Sequence, residues 1–436
     1  MGRAQGGSSA SPSGNTKTAA ASPAVQVLSG QDEIAGWQEE TYRALHGHPE
    51  LPHQEVQTAA TAADALREAG YEVHERIGTT GVVGILRNGD GPTVLMRADM
   101  DALPIKEETG LPYASTVRVT DAAGQEVPVA HACGHDVHVT SLVGAARLLA
   151  ANRSAWRGTF IPLFQPAEER ADGADAMVKG GLADLIPTPD VALAQHVLAY
   201  PAGTVGTLAG PILSTGASMR ITLHGRGSHG SMPQLSIDPV VLAAMIVVRL
   251  QAIVAREVAP GTFAVLTVGR ITGGTKSNII PDRAVVELNI RAYDEGVRSR
   301  LIDAIKRVVN GECAASGSPM EPEFELYDAY PLTDNDPDVT AKVAAAFTEH
   351  FGDKAFTVSR LSASEDFSVI PNAFGIPYTY WALGGIDPET WREAEAAGRV
   401  GEIPANHSPK FAPVIGPTLK TGTAAIVVAA LAWLAP

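Results

Sequence analysis

The feature that most constrains the fold is an alternation of short apolar segments with longer helical segments in the first half of the chain. The apolar runs, which we expect to form buried strands, are GVVGIL (81–86), TVLMRA (93–98), GTFIPLF (158–164) and VALAQHV (191–197). A segment with helical spacing, 58–73, ended by Gly70, precedes these runs, and helical segments such as 139–153 separate them. Strands without polar alternation are buried on both faces, so the pattern predicts an α/β fold with a mostly parallel, helix-covered sheet.

A second pattern begins near residue 210 and continues to about 321. Its segments predict the order strand, helix, strand, strand, helix, strand, which is the order of a ferredoxin-like α+β sandwich inserted into the first domain. The chain then returns to the first domain through a helix at 339–352, a strand at 377–383 and a final helix. The expected organisation is a disordered tail (1–30), the first part of the main domain (31–209), the inserted domain (210–326) and the second part of the main domain (327–436).

Composition excludes several classes of protein. The formal charge of −15 argues against nucleic acid as a partner, because binding a phosphate backbone needs a clustered basic face. Two cysteines in 436 residues do not form a disulfide scaffold. The first thirty residues lack the uninterrupted apolar core of a secretory signal, and the run at 423–434 is too short to cross a bilayer. We therefore expect a cytoplasmic protein with no membrane association.

Potential metal ligands and catalytic carboxylates lie at the ends of apolar, strand-like runs. They occur in RADMDALP (Asp99, Asp101), HACGHDVH (Cys133, His135), FQPAEER (Glu168, Glu169), VALAQHV (His196) and ANHSPKFAP (His407). Each alone has an ordinary structural explanation: a core thiol, a helix cap, a turn former or a solvated glutamate. Loops at strand ends build the sites of open α/β sheets, so their combination predicts a two-metal hydrolytic site with one uncoordinated carboxylate as the base.

Two other classes stay open at this stage. A metal-free hydrolase would use Cys133 as the nucleophile, with His135 or His138 as its base, and would keep its activity after chelation. A binding or regulatory module that kept the fold would have lost a ligand or the base, whereas all of these positions are filled.

The ordered motifs resemble a known family. HACGHDVH, RADMDALP, QPAEE, HGRGSHGSMPQLSIDPV (224–240), GGTKSNIIPDRAVVELNIR (273–291), SEDFS (364–368) and NHSPKF (406–411) are similar to motifs of the aminoacylase and hippurate hydrolase branch of the carboxypeptidase G-like co-catalytic metallopeptidases. This branch includes the indole-acetyl-amino-acid hydrolases. LHGHPELPHQE (45–55) resembles the N-terminal motif of the family.

The resemblance implies roles for individual residues. The metal ligands would be Cys133, His135, Glu169, His196 and His407. Glu168 would be the general base, and Asp101 matches a catalytic aspartate, although Asp99 stands where the carboxypeptidase branch has a histidine. Asp136 and His138 would support the ligating imidazoles. In the inserted domain, His229 would polarise the scissile carbonyl, often across a dimer, while Asn278 and Arg291 would hold the substrate carboxylate.

The resemblance also implies the reaction and the partners. The chain would hydrolyse the amide bond of N-acyl amino acids, a small-molecule substrate, and its nearest alternative is a dipeptidase or carboxypeptidase activity. It would use two divalent metal ions per subunit, manganese or zinc before nickel or cobalt. The inserted domain would act as a lid and join two chains as a homodimer.

Overall fold

The structure is a computed structural model that describes residues 22–121 and 123–436. The strands of these residues are β1 Glu72–Ile77, β2 Gly81–Asn88, β3 Thr93–Asp99, β4 Arg118–Thr120, β5 Glu126–Pro128, β6 Gly158–Gln165, β7 Val191–Pro201, β8 Val205–Thr207, β9 Gly210–Leu213, β10 Thr215–His224, β11 Ser228–His229, β12 Ala264–Gly273, β13 Ile279–Ile280, β14 Arg283–Ala292, β15 Glu323–Tyr330, β16 Thr333–Asn335, β17 Ala355–Thr357 and β18 Tyr378–Ile386.

The helices connect these strands and cover the sheets. They are α1 Pro23–Leu28, α2 Gln31–Gly47, α3 Val56–Glu68, α4 His135–Ala151, α5 Gly173–Lys179, α6 Leu182–Leu185, α7 Pro239–Glu257, α8 Glu295–Ala315, α9 Pro337–Phe351, α10 Val369–Phe374, α11 Pro388–Ala396 and α12 Ile415–Leu434. Several begin at a capping aspartate followed by proline, as in Asp238–Pro239 and Asp336–Pro337, where the carboxylate accepts backbone N–H groups and proline needs none.

The main sheet has eight strands in the order β1-β2-β6-β3-β7-β18-β8-β17. Its centre is parallel, because β6, β3, β7 and β18 pair with one another in parallel, whereas β1, β2 and β8 join antiparallel. One face packs on α4 and α12, and a second apolar cluster, with α5 and α10, covers the other face. The α/β fold with a helix-covered, mostly parallel sheet is confirmed, and it brings the carboxyl ends of the central strands to one edge.

The inserted unit is a separate antiparallel sheet in the order β12-β14-β10-β15, covered by α7 and α8. This is the ferredoxin-like arrangement that the sequence pattern predicts, with its own apolar core. The chain passes between the two units beside the short pair of β9 and β16, so entry and exit are adjacent. The domain limits at 209/210 and 326/327 stay predictions, although the strands of the inserted sheet run from Thr215 to Tyr330.

The expected tail requires a correction at its C-terminal end. Pro23–Leu28 forms α1, and the Val27 side chain is fully buried in the main core between α4 and α12. Val27, the partly buried Ala24 and Leu28 and the helix-capping serine, Ser22, stabilise this segment, and composition alone did not indicate it. The rest of the tail, residues 1–21, lies outside the described residues.

Among the described residues, two helices have the length and apolar composition of a membrane span, α7 and α12. Most of α12 is buried inside the main unit, which is the environment of a core helix. In contrast, α7 exposes Val241, Met245 and Val248, which lie on one helical face and are each more than half exposed.

Candidate metal centre

The predicted ligands lie at the carboxyl edge of the main sheet. Cys133 and His135 lie at the start of α4, Glu168 and Glu169 in a single helical turn after β6, and His196 within β7. His407 belongs to the loop before α12. Four segments that are distant in sequence therefore meet where open α/β sheets usually place their sites, because parallel strands present their carboxyl ends together.

The ligand atoms are close enough to hold metal ions. Atoms of Cys133, Glu169 and His407 lie within 4.8 Å of one another, and so do those of His135, Glu168 and Glu169. His407 Nε2 is 3.2 Å from Glu169 Oε1, and Cys133 Sγ is 3.5 Å from His196 Nε2. Glu169 belongs to both groups, and His135 belongs also to a buried group with Asp99, His138 and His196, so the predicted ligands form one connected cluster.

The protonation state of His196 suits a ligand. Its Nδ1 is 2.8 Å from the Val197 carbonyl oxygen, which accepts only from a protonated nitrogen, so the lone pair is on Nε2, facing Cys133. Burial, followed by the proximity of His138, lowers the pKa of His196 well below its ordinary value and keeps the ring neutral.

Buried polar atoms without well-aligned partners also fit a metal-binding role. His135 Nε2 is buried and makes no hydrogen bond to any described residue, and the buried Glu169 Oε1 has His407 Nε2 at 3.2 Å without the alignment of a hydrogen bond. Buried polar atoms are nearly always satisfied, so a ligand is expected at both. The donor set of one thiolate, three imidazoles and a carboxylate fits two divalent ions of the zinc or manganese type.

Glu168 has the environment of a general base. Its side chain is almost fully buried, and burial, followed by the nearby charges of Glu365, Glu169 and Asp366, raises its pKa well above the ordinary value. A carboxylate with a raised pKa can take a proton from water near neutral pH and release it later. Asp101 lies beside it, where its Oδ2 accepts the Glu169 backbone N–H at 3.0 Å and its Oδ1 is 3.3 Å from His135 Nδ1.

Cys133 does not have the environment of a nucleophile. Burial and the Glu169 charge raise the pKa of its thiol, whereas a catalytic cysteine needs a lowered pKa. His196, whose Nε2 is 3.5 Å from Sγ, has a lowered pKa and withdraws the proton poorly. The metal-free hydrolase therefore loses support.

The two residues expected to support the ligands differ in position. His138 Nδ1 hydrogen bonds with Asp99, and its Nε2 accepts the Val197 N–H at 2.8 Å, so this ring fixes the backbone next to His196. Asp136 turns away from the ligands and bonds with His46 Nδ1 at 2.7 Å.

Asp99 belongs to a buried ion network below the ligands. Arg97 is fully buried and donates to Asp99 at 2.6 Å and to Glu365 at 2.6 Å, with Asp366 at 3.4 Å. Burial lowers the pKa of Arg97, but these three carboxylates outweigh burial and raise it. The position that carries a histidine in the carboxypeptidase branch therefore holds, in this chain, a carboxylate neutralised by an arginine.

Asn406 begins the motif NHSPKF, but no pattern in the sequence indicates its role in the site. Its Nδ2 donates to the Cys133 carbonyl oxygen at 3.0 Å and to the Val197 carbonyl oxygen at 2.9 Å. The next residue, His407, adopts a positive φ of 69° and donates its N–H to Ala132 at 2.8 Å. One amide thus ties together three ligand-bearing segments. Its place in NHSPKF, next to His407, was the sequence signal that could have found it.

A cleft of about 580 Å³ opens above the ligands. Cys133, Glu168, Glu169, His196 and His407 form its floor, together with Glu365. Its walls include Leu198, Leu213, Val265, Arg291, Tyr330 and Leu361. Arg291 reaches the cleft from the inserted unit and donates to the Ser362 carbonyl oxygen and to Ser364 Oγ, both at 3.0 Å.

Two predicted substrate-binding residues do not line this cleft. His229 is exposed on the small pair of β11 and β13, where its Nδ1 is 2.7 Å from Ser231 Oγ. Asn278 is next to it, since its carbonyl oxygen accepts the Gly230 N–H at 2.8 Å. Within one chain, the structure brings Arg291 to the ligands but leaves His229 and Asn278 apart from them.

Comparison with known proteins gives consistent matches. The sequence profile described as Peptidase family M20/M25/M40 matches residues 95–396. The chain is 37% identical over 384 residues to thermostable carboxypeptidase 1 of Saccharolobus solfataricus, covering 87% of this chain and 91% of that protein. It is 37% identical over 339 residues to hippurate hydrolase of Campylobacter jejuni, covering 77% of this chain and 85% of that protein.

The fold also matches a solved structure. A Bacillus subtilis protein, YXEP, described as a dinuclear metal binding peptidase, superposes with a TM-score of 0.72 at 28% identity. The match covers 92% of this chain and 98% of that one.

Proposed function

Because the chain belongs to peptidase family M20/M25/M40 and to its amidohydrolase branch, we propose that it hydrolyses the amide bond of N-acyl amino acids. The products are a carboxylic acid and a free amino acid. The observation that carries the proposal is the buried Glu168, beside the five clustered ligands and in the same cleft as Arg291.

The ligands in this proposal are Cys133, His135, Glu169, His196 and His407. Two divalent ions, manganese or zinc, supply Lewis-acid chemistry and acidify water when bound. Glu168 takes the proton of the attacking water and returns it to the leaving amine. Asp101 holds the Glu169 backbone and the His135 ring, so it orients a ligand on each side of the base.

The substrate carboxylate is the group that Arg291 recognises. Its guanidinium has a planar fork of donors that matches a carboxylate. In the described conformation it donates to Ser362 and Ser364, neutral acceptors that a carboxylate replaces favourably. The apolar walls of the cleft, such as Leu198, Leu213 and Val265, would contact the acyl group or the amino-acid side chain.

A homodimer through the inserted unit is the second part of the proposal. The exposed apolar face of α7 and the open edge strand β12 are both unpaired within the described chain. A second copy would cover them. His229 and Asn278 lie outside the cleft of their own chain, and in the dimer they would reach the cleft of the second copy. There His229 would polarise the scissile carbonyl and Asn278 would bind the substrate carboxylate.

One experiment tests the reaction. The protein is stripped with a chelator, reloaded with Mn²⁺, Zn²⁺, Co²⁺ or Ni²⁺ singly, and assayed on N-acetyl and N-benzoyl amino acids and on dipeptides. We expect no activity without metal and restored hydrolysis of the N-acyl amino acids. Preference for dipeptides would favour a dipeptidase or carboxypeptidase activity. This is the nearest alternative function, because the chain is similar to thermostable carboxypeptidase 1. Full activity in the stripped protein would contradict the proposal.

A further inference from the structure

The proposed mechanism does not use LPHQE (51–55), although this segment contacts the turn that carries Glu168 and Glu169. Glu55 is fully buried, which is rare for a carboxylate unless it is paired. Its Oε1 accepts the N–H of His53 at 2.9 Å and the N–H of Ala167 at 2.8 Å. Its Oε2 accepts the hydroxyl of Thr80 at 2.6 Å. Glu55 is therefore fixed by three donors, and one of them is the residue before Glu168.

The backbone of this turn is in an unfavourable conformation. Ala167 and Ala171 flank the turn Glu168–Arg170, and both have a positive φ, 50° and 57°. Residues with a Cβ adopt this region rarely, because the Cβ approaches the carbonyl oxygen. Such conformations persist only where the surroundings fix them. The hydrogen bond from the Ala167 N–H to Glu55 holds this conformation at the N-terminal end of the turn.

Further contacts hold the other parts of the turn. Asp101 Oδ2 accepts the Glu169 N–H at 3.0 Å, and His53 Nε2 is 2.8 Å from Asp172 Oδ1. Gly173 returns so close to the start of the turn that a Cβ there would meet the Pro166 carbonyl oxygen at 1.6 Å. The turn is thus a closed loop, and residues 53–55 contact it on both sides of the glutamate pair.

We propose that Glu55 is a positioning residue, which holds the Ala167 backbone so that Glu168 faces the substrate and Glu169 faces the ligand cluster. This inference rests on the roles proposed for those two glutamates. Glu55 acts through the turn and touches neither substrate nor ligand atoms. The rival explanation is a purely structural role, in which Glu55 stabilises the fold without any effect on the turn.

Three variants separate these explanations. Glu55→Ala removes the acceptor and leaves the Ala167 N–H unpaired. Glu55→Gln keeps an oxygen for that N–H, and its amide donates to Thr80, whose hydroxyl can accept. Glu50→Ala is the matched control: Glu50 accepts from Gln57 and Thr58 at the start of α3, and no hydrogen bond joins its side chain to the turn.

The kinetic readout uses N-benzoylglycine as the probe at saturating Mn²⁺. We expect kcat of Glu55→Ala to fall about 100-fold, since a misplacement near 1 Å has that effect, with KM within about threefold. Glu55→Gln should recover most of the loss, and Glu50→Ala should keep the wild-type kcat per folded molecule. Equal kcat in Glu55→Ala and Glu50→Ala would overturn the proposal.

A second readout does not depend on activity. Amide hydrogen exchange of the peptide covering 164–173 should be faster in Glu55→Ala than in wild type, and unchanged in Glu50→Ala. Mn²⁺ titration should show weaker binding in Glu55→Ala alone, because Glu169 moves with the turn. Unchanged exchange would overturn the proposal. If the wild type hydrolyses no amide, the proposed function fails, and exchange with Mn²⁺ titration still decides the role of Glu55.

Discussion

Replacing Arg97 with methionine should destabilise the protein far more than removing an exposed arginine. Arg97 is fully buried and contacts Asp99 and Glu365, each at 2.6 Å. Methionine keeps much of the apolar volume but no charge. The variant therefore isolates the loss of the cation from buried carboxylates.

The magnitude follows from these contacts. Two unit charges about 4 Å apart attract by roughly 4 kcal/mol at an effective dielectric constant near 20, so two contacts amount to roughly 8 kcal/mol before compensation. Asp99 keeps its bond with His138, and Glu365 keeps the N–H groups of Asp366 and Phe367. One carboxylate can also take up a proton. The net loss should be about 3–5 kcal/mol in the free energy of unfolding, as for other broken buried pairs.

Urea denaturation followed by tryptophan fluorescence measures this loss, because Trp156 and Trp381 are buried in the same unit. The matched control is Arg87→Met. Arg87 also contacts a carboxylate at 2.6 Å, that of Glu72, but both side chains are more than half exposed. Water already solvates that pair, so the control should change much less. Equal losses in the two variants would refute the reasoning that burial makes the Arg97 network costly to break.

Three other predictions concern a buried histidine, the metal centre and the dimer. Burial alone would lower the pKa of His46, but its hydrogen bonds with Asp136 and Glu107 outweigh burial and raise this pKa from 6.5 to about 10. The stabilisation from protonated His46 with its two carboxylates is complete below pH 6.5 and is lost as the pH rises through about 10. The melting temperature should therefore fall over this pH range, and it should fall less in the His46→Gln variant. Cys133→Ala should weaken Zn²⁺ binding more than about tenfold with unchanged circular dichroism; full metal content would contradict its role as a ligand. Val241→Glu should convert a dimer to a monomer in light scattering, and an unchanged mass would exclude α7 from the interface.

The fold was predictable because buried strands and helices show regular patterns of apolar residues in the local sequence. Continuous apolar runs predicted the central strands β2, β3, β6 and β7, and a change of period predicted the inserted sheet. The end of the tail was not predictable, since α1 is held by contacts of Val27, Ala24 and Leu28 with helices far along the chain.

The site was only partly predictable, for a related reason. Ligand types at strand ends indicated which residues could meet, because the topology of parallel strands brings those ends together. Supporting contacts have no local pattern: Asn406 bonds to backbone atoms, and Glu55 acts through one N–H. His229 and Asn278 lie on the inserted unit outside the cleft of this chain, and the dimer in which they are proposed to act is not encoded by any motif.

The most direct test of the central claim is Glu168→Gln, with turnover and metal content measured on the same sample. Glutamine keeps the shape of the side chain but cannot carry the proton, and Glu168 is not in the ligand set. We predict that kcat on the best N-acyl amino acid falls about 10²–10⁴-fold while two metal ions per chain remain bound. Wild-type turnover in this variant, or loss of the metal with the activity, would contradict the assignment of Glu168 as the general base.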